Sequence, residues 1–117
     1  MVKRDLRTVL DLRRNELFEI FGLTARMKEN PEAYRTALAG KTLAMINEKQ
    51  SLRTKVTFLA GIQQLGGYSV YLTNQDISLG KREPVKDVAR NLSRWVDIVV
   101  ARVFQQATIQ ELAEYST

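Results

Sequence analysis

The sequence predicts an α/β fold in three layers, with a parallel β-sheet between helices on both of its faces. Short apolar runs alternate along the chain with segments whose apolar residues recur at helical spacing. The predicted strands are apolar at successive positions, which is typical of strands that are covered on both sides. Glycine and proline stand at the borders between these segments, where turns are expected.

The first predicted element is an amphipathic helix at about residues 14–28. Its apolar face holds four residues at helical spacing, namely Leu17, Ile20, Phe21 and Thr24. The helix is expected to stop at Asn30, because the residue before a proline disfavours the helical region. A shorter helical segment at residues 32–38 then ends at Gly40.

The alternation of strands and helices begins after Gly40. Three strands are predicted, at residues 42–47, 68–72 and 97–102. Three helices follow them, at residues 53–65, 84–95 and 108–115. The helix at 84–95 begins with a proline at its first turn and has an apolar face of Val85, Val88, Leu92 and Trp95. Between the second strand and this helix lies a polar loop at residues 73–83.

Polar side chains gather where the predicted strands end. Ser51, Arg53, Thr54 and Lys55 open the helix after the first strand, and Arg102 closes the third strand. In parallel α/β sheets, ligands bind outside the carboxyl ends of the strands. The first N–H groups of a helix lack partners and attract anions, and hydroxyl and guanidinium groups add donors for phosphate oxygens. The pattern indicates a phosphate site, although Ser51 could equally serve only as a helix N-cap.

Composition excludes several other classes of function. The 117 residues contain neither cysteine nor histidine, so we expect no disulfide, no thiolate nucleophile, no metal site and no histidine proton shuttle. Glycine-rich nucleotide loops are missing, and we expect no cofactor. The formal charge of +5 is spread along the chain without a basic block, which argues against nucleic acid and favours small anions. No membrane span is predicted, and a cytoplasmic location is expected.

Several motifs recur in the order of a known family. Residues 48–58 read Glu-Lys-Gln-Ser-Leu-Arg-Thr-Lys-Val-Thr-Phe, and further matching segments lie at 64–67, 75–81, 87–90, 92–97 and 102–104. They resemble the aspartate/ornithine carbamoyltransferases, whose phosphate motif is Ser-Thr-Arg-Thr-Arg after Glu-Lys. The resemblance is to the amino-terminal, carbamoyl-phosphate-binding domain and is closest to the ornithine-type enzymes.

The resemblance implies a role for each residue of the site. Ser51, Arg53 and Thr54, with the N–H of Leu52, would hold the phosphate of carbamoyl phosphate. Arg102 would face the same phosphate, and with Thr54 it would also reach the carbamoyl oxygen and act in catalysis, without metal or cofactor. Ser78 and Lys81 would complete the site of a neighbouring subunit in a homotrimer.

The resemblance also sets the expected extent of the chain. Residues 1–117 would form the carbamoyl-phosphate-binding domain without its last strand, and the family's His-Pro-x-Gln segment and second domain would lie beyond Thr117. This piece is therefore expected to be inactive alone. Aspartate, acetylornithine or succinylornithine transfer stays an alternative to ornithine transfer.

The chain departs from the family pattern at five positions. They are Asn47 for phenylalanine, Leu52 for threonine, Lys55 for arginine, Pro84 for serine and Val88 for threonine. A non-catalytic binding or assembly domain, in which Leu52 and Lys55 mark a decayed site, is the third alternative.

Overall fold

The computed structural model describes residues 2–77 and 83–117. Within these ranges the helices and strands are α1 (Arg14–Glu29), β1 (Thr42–Asn47), α2 (Arg53–Gln64), β2 (Tyr68–Thr73), α3 (Val85–Trp95), β3 (Ile98–Arg102) and α4 (Gln106–Tyr115). Short 3₁₀ helices lie at Val9–Asp11, which was not predicted, and at Pro31–Tyr34. The predicted bounds agree with the structure to within two residues, except at 32–38. There only the 3₁₀ turn is helical, and turns continue to Gly40, whose φ is 78°.

The three strands form a parallel sheet in the order β2-β1-β3. Asn47, the last residue of the central strand, lies opposite Thr73 of β2 and Arg102 of β3. Residues paired in this way point to the same face of a sheet. The carboxyl ends of all three strands therefore meet at one edge, as predicted.

Helices cover the sheet on both faces. On one face Ala44 and Ile46 pack against α3 and α4, in a cluster that includes Leu92 and Leu112. On the other face Leu43 and Met45 of β1 pack against α2 through Ile62. The alternation of side chains along β1 divides its apolar residues between the two layers, which confirms the three-layer α/β architecture.

Two predicted apolar faces are less covered than their pattern indicates. In α3, Val85, Val88 and Leu92 are buried, but Trp95 is 71% exposed. Helical spacing predicts core or interface packing for Trp95. The core alternative is wrong, because α3 ends there and the chain continues as extended backbone from Val96, and interface packing stays a prediction. In α1, Phe21 is 56% exposed, and its apolar face is largely open among the residues that the structure describes.

An ion-pair cluster fixes the chain that leads into α1. The buried Glu16 carboxylate accepts hydrogen bonds from the Arg4 side chain and from the backbone N–H and Nε–H of Arg13. These contacts, with Arg4 first among them, lower the pKa of Glu16 to about 2. Arg7 joins the same segment to α4 by donating to Oε1 of Gln110 at 3.2 Å. Glu16 therefore stays ionised at neutral pH and ties the amino-terminal segment to the domain.

Candidate phosphate-binding site

Arg102 reaches from the end of β3 to the start of α2. Its Nη1 donates to Oγ of Ser51 at 2.9 Å and to Oγ1 of Thr54 at 2.6 Å. All three side chains are partly buried. The predicted meeting of these residues is confirmed, although they lie as many as 51 positions apart in the chain.

The hydrogen bonds at Ser51 leave its hydroxyl proton uncommitted. Oγ of Ser51 accepts from Arg102 and also from the backbone N–H of Thr54, at 3.2 Å. A serine oxygen has two lone pairs and one O–H, so both acceptor positions are filled and the proton must point elsewhere. Ser51 caps the helix and at the same time presents a donor. The cap and the anion site are therefore compatible roles of this side chain.

The first turn of α2 contributes further donors. Leu52 precedes the helix with its side chain 77% exposed and without a side-chain cap bond, so only its backbone can serve the site. Arg53 is exposed, and within residues 2–77 and 83–117 its side chain has no hydrogen-bond or ion-pair partner. Free N–H groups at a helix start, with the positive end of the helix dipole, favour an anion. The edge thus combines positive charge with hydrogen-bond donors.

Lys55 lies apart from the exposed Arg53, although the sequence places both residues in one polar cluster. Its ammonium is 3.9 Å from the centroid of the Tyr71 ring, and Oη of Tyr71 accepts from Nδ2 of Asn47 at 3.0 Å. Asn47 is only 5% exposed, and its Oδ1 has no hydrogen-bond partner in the described structure. A polar residue at the end of a buried strand was the signal for this contact, but its partner on β2 could not be read from the sequence.

The loop that follows β2 begins with an ordered turn. The Asp76 carboxylate accepts the backbone N–H of Thr73 at 2.9 Å and its hydroxyl at 3.1 Å, and these bonds lower the pKa of Asp76. The predicted site residues Ser78 and Lys81 lie outside the described residues.

Among the described residues, no group of three or more acidic, histidine or cysteine side chains could hold a metal ion. None of the helices described there is long and apolar enough to cross a membrane.

The fold and this edge define a class: open parallel α/β domains that present donors for a ligand at the carboxyl ends of their strands. Comparison with known proteins narrows the class to one family. Residues 4–117 match the family described as aspartate/ornithine carbamoyltransferase, carbamoyl-P binding domain. The chain belongs to this family, and the resemblance seen in its motifs is confirmed.

Individual relatives agree with this assignment. The chain is 47% identical over 113 residues to the ornithine carbamoyltransferase of Moritella profunda, covering 97% of this chain and 38% of that protein. A solved ornithine carbamoyltransferase from Pyrococcus furiosus superposes with a TM-score of 0.93 at 39% identity, over 97% of this chain and 37% of that one. The catalytic subunit of the M. jannaschii aspartate transcarbamoylase reaches a TM-score of 0.81 at 29% identity, over 93% of this chain and 37% of its own.

Proposed function

We propose that the chain is the carbamoyl-phosphate-binding domain of an ornithine carbamoyltransferase. Such an enzyme transfers the carbamoyl group of carbamoyl phosphate to the side-chain amine of ornithine and releases phosphate. The observation that carries the proposal is the convergence of Arg102, Ser51 and Thr54 at the start of α2. Ornithine is preferred to aspartate as the acceptor, because the Moritella profunda relative, at 47% identity, is an ornithine enzyme. Among superposed structures, the identity is 39% to the Pyrococcus furiosus ornithine enzyme and 29% to the aspartate enzyme.

The proposed chemistry needs binding and polarisation. The amine nitrogen attacks the carbamoyl carbon, the bond from that carbon to the phosphate oxygen breaks, and the phosphate leaves with the electron pair. The proton that the amine nitrogen loses is taken up by the departing phosphate. Ser51, Arg53, Thr54 and Arg102, with the N–H of Leu52, hold the phosphate. Arg102 and Thr54 also donate toward the carbamoyl oxygen. Donors that are fixed before the ligand arrives stabilise the developing charge without reorganisation. Each hydrogen bond to a charged group contributes about 1.5–3 kcal/mol.

Replacing Arg53 by alanine tests the phosphate site. Since the Arg53 side chain has no partner in the described structure, its removal should leave the fold intact and weaken carbamoyl-phosphate binding by roughly 2 kcal/mol. Isothermal calorimetry measures the affinity, and a thermal melt measures the stability. Arg94→Ala, at an exposed position in the last turn of α3, controls for the loss of a positive charge. A lower melting temperature with unchanged affinity would show that the segment is only a helix cap.

We propose that the domain associates as a homotrimer in which residues 73–83 of each chain serve the next subunit. The loop is polar and long for a connection in a compact parallel fold, and such loops are more often functional than idle. A head-to-tail contact that closes after three copies would supply Ser78 and Lys81 to the neighbour's site.

Sedimentation at several concentrations is expected to detect the trimer. Phosphate affinity should fall in Ser78→Ala and in Lys81→Ala, because each would remove a donor from the shared site. A strict monomer at the highest concentration would contradict the association.

Both substrates are small charged molecules of an aqueous compartment, and on that ground we also propose a cytoplasmic location and a role in arginine metabolism.

A further inference from the structure

We infer that Glu48 is a positioning residue, which holds the backbone on both sides of Arg102 and so sets where its guanidinium lies. The backbone N–H of Glu48 donates to the carbonyl oxygen of Arg102 at 2.9 Å. Oε1 of the Glu48 side chain accepts a hydrogen bond from the backbone N–H of Phe104 at 3.3 Å. The functional consequence rests on the proposed anion site, but the contacts themselves do not.

The need for such a residue follows from the sheet. The pairing of β1 with β3 ends at Asn47 and Arg102. The segments that follow the two strands then diverge, one toward α2 and the other toward α4. Glu48 is the first residue after β1, and its N–H adds one more bond beyond the last strand pair. Its side chain then secures the residue two positions past Arg102. The arginine is therefore held from the strand on one side and from Glu48 on the other.

The adjacent residue adds to the same attachment. The Lys49 ammonium lies 5.7 Å from the centroid of the exposed Phe104 ring. Contacts between a cation and an aromatic ring at this range are favourable. The turn after β1 thus holds the turn after β3 through two neighbouring side chains. An arginine side chain has several rotatable bonds, and fixing its backbone reduces the entropy lost when its guanidinium is ordered.

The charge of Glu48 makes the inference testable by sign. A carboxylate near a phosphate site repels the ligand. If Glu48 acted through its charge alone, a variant that lacks this charge would therefore bind phosphate more tightly than the parent chain. If Glu48 acts by positioning Arg102, a variant that loses the acceptor oxygen should bind phosphate more weakly. Glu48→Gln removes the charge and keeps an acceptor oxygen, whereas Glu48→Ala removes both.

The first test titrates inorganic phosphate into the 117-residue chain by calorimetry. Glu48→Ala should weaken binding about tenfold, through loss of the bond to Phe104 and displacement of Arg102. Glu48→Gln should bind as well as the parent chain or better. Glu48→Asp keeps the charge but withdraws the acceptor by one methylene, and should lie between the parent and Glu48→Ala. Glu114→Ala, at an exposed position on α4, is the matched control and should not weaken binding.

The second test measures the mobility of the Arg102 side chain directly, in the absence of ligand. Nitrogen-15 spectra of the arginine side chains should show slow rotation of the Arg102 guanidinium in the parent chain and in Glu48→Gln. Faster averaging is expected in Glu48→Ala and Glu48→Asp. If Arg102 signals in those two variants match the parent, or if Glu48→Ala binds phosphate at least as tightly, the inference is overturned. A parent chain that binds no phosphate would refute the proposed function alone, because the spectra still decide the role of Glu48.

Discussion

Replacing Arg102 by alanine is expected to lower the affinity for carbamoyl phosphate by about a hundredfold or more. The variant loses a positive charge and the donor that Ser51 and Thr54 share. Without that donor, neither hydroxyl is held by Arg102 in the orientation that presents its proton to the ligand. The loss should exceed that of Arg53→Ala, because Arg102 both binds the ligand and orders its neighbours.

Arg102→Lys separates charge from geometry. Lysine restores the charge but not the planar fork of donors, so it should recover only part of the affinity. Calorimetric titration of the three proteins, with Arg94→Ala as the charge control, gives the ranking. Equal affinity in the parent chain and in Arg102→Ala would remove Arg102 from the site.

The second large effect concerns turnover. The 117-residue chain is expected to form no detectable citrulline from carbamoyl phosphate and ornithine, although it binds carbamoyl phosphate. It spans 38% of the length of the Moritella profunda relative and contains no histidine. A bound carbamoyl group without a positioned amine lacks the proximity on which the rate of transfer depends.

The assay needs a preparation free of the host's own carbamoyltransferase. A full-length ornithine carbamoyltransferase, assayed under the same conditions, is the positive control for citrulline detection. Citrulline formation that co-purifies with the chain and disappears in Arg102→Ala would overturn the prediction, and would mean that this domain orients both substrates.

The sequence predicted the fold well where local pattern and burial agree. The bounds of β1 were predicted to the residue, because the buried apolar residues 43–46 stand between the polar residues Thr42 and Asn47. The exposure of Trp95 could not be predicted, because helical spacing places a side chain on a face but does not say how far the facing layer extends. The exposure of the apolar face of α1 could not be predicted for the same reason, because helical spacing does not show whether another layer covers that face.

The site was only partly predictable for a different reason. Arg102 could be placed beside Ser51 because parallel strands bring their carboxyl ends together. The stacking of Lys55 on Tyr71 and the bond from Phe104 to Glu48 depend on how two adjacent turns are shaped. Such contacts join residues far apart in sequence, and no local spacing encodes them.

The central claim is that the start of α2 and the end of β3 together bind a phosphate group. A titration of the nitrogen-15-labelled chain with carbamoyl phosphate, followed in proton–nitrogen spectra, tests it most directly. Saturable shifts are predicted at the backbone amides of Leu52, Arg53 and Thr54 and at the side chain of Arg102. The amide of Glu114 should stay unmoved. Shifts that spread evenly over the surface lysines and arginines, or none up to high ligand concentration, would contradict the account.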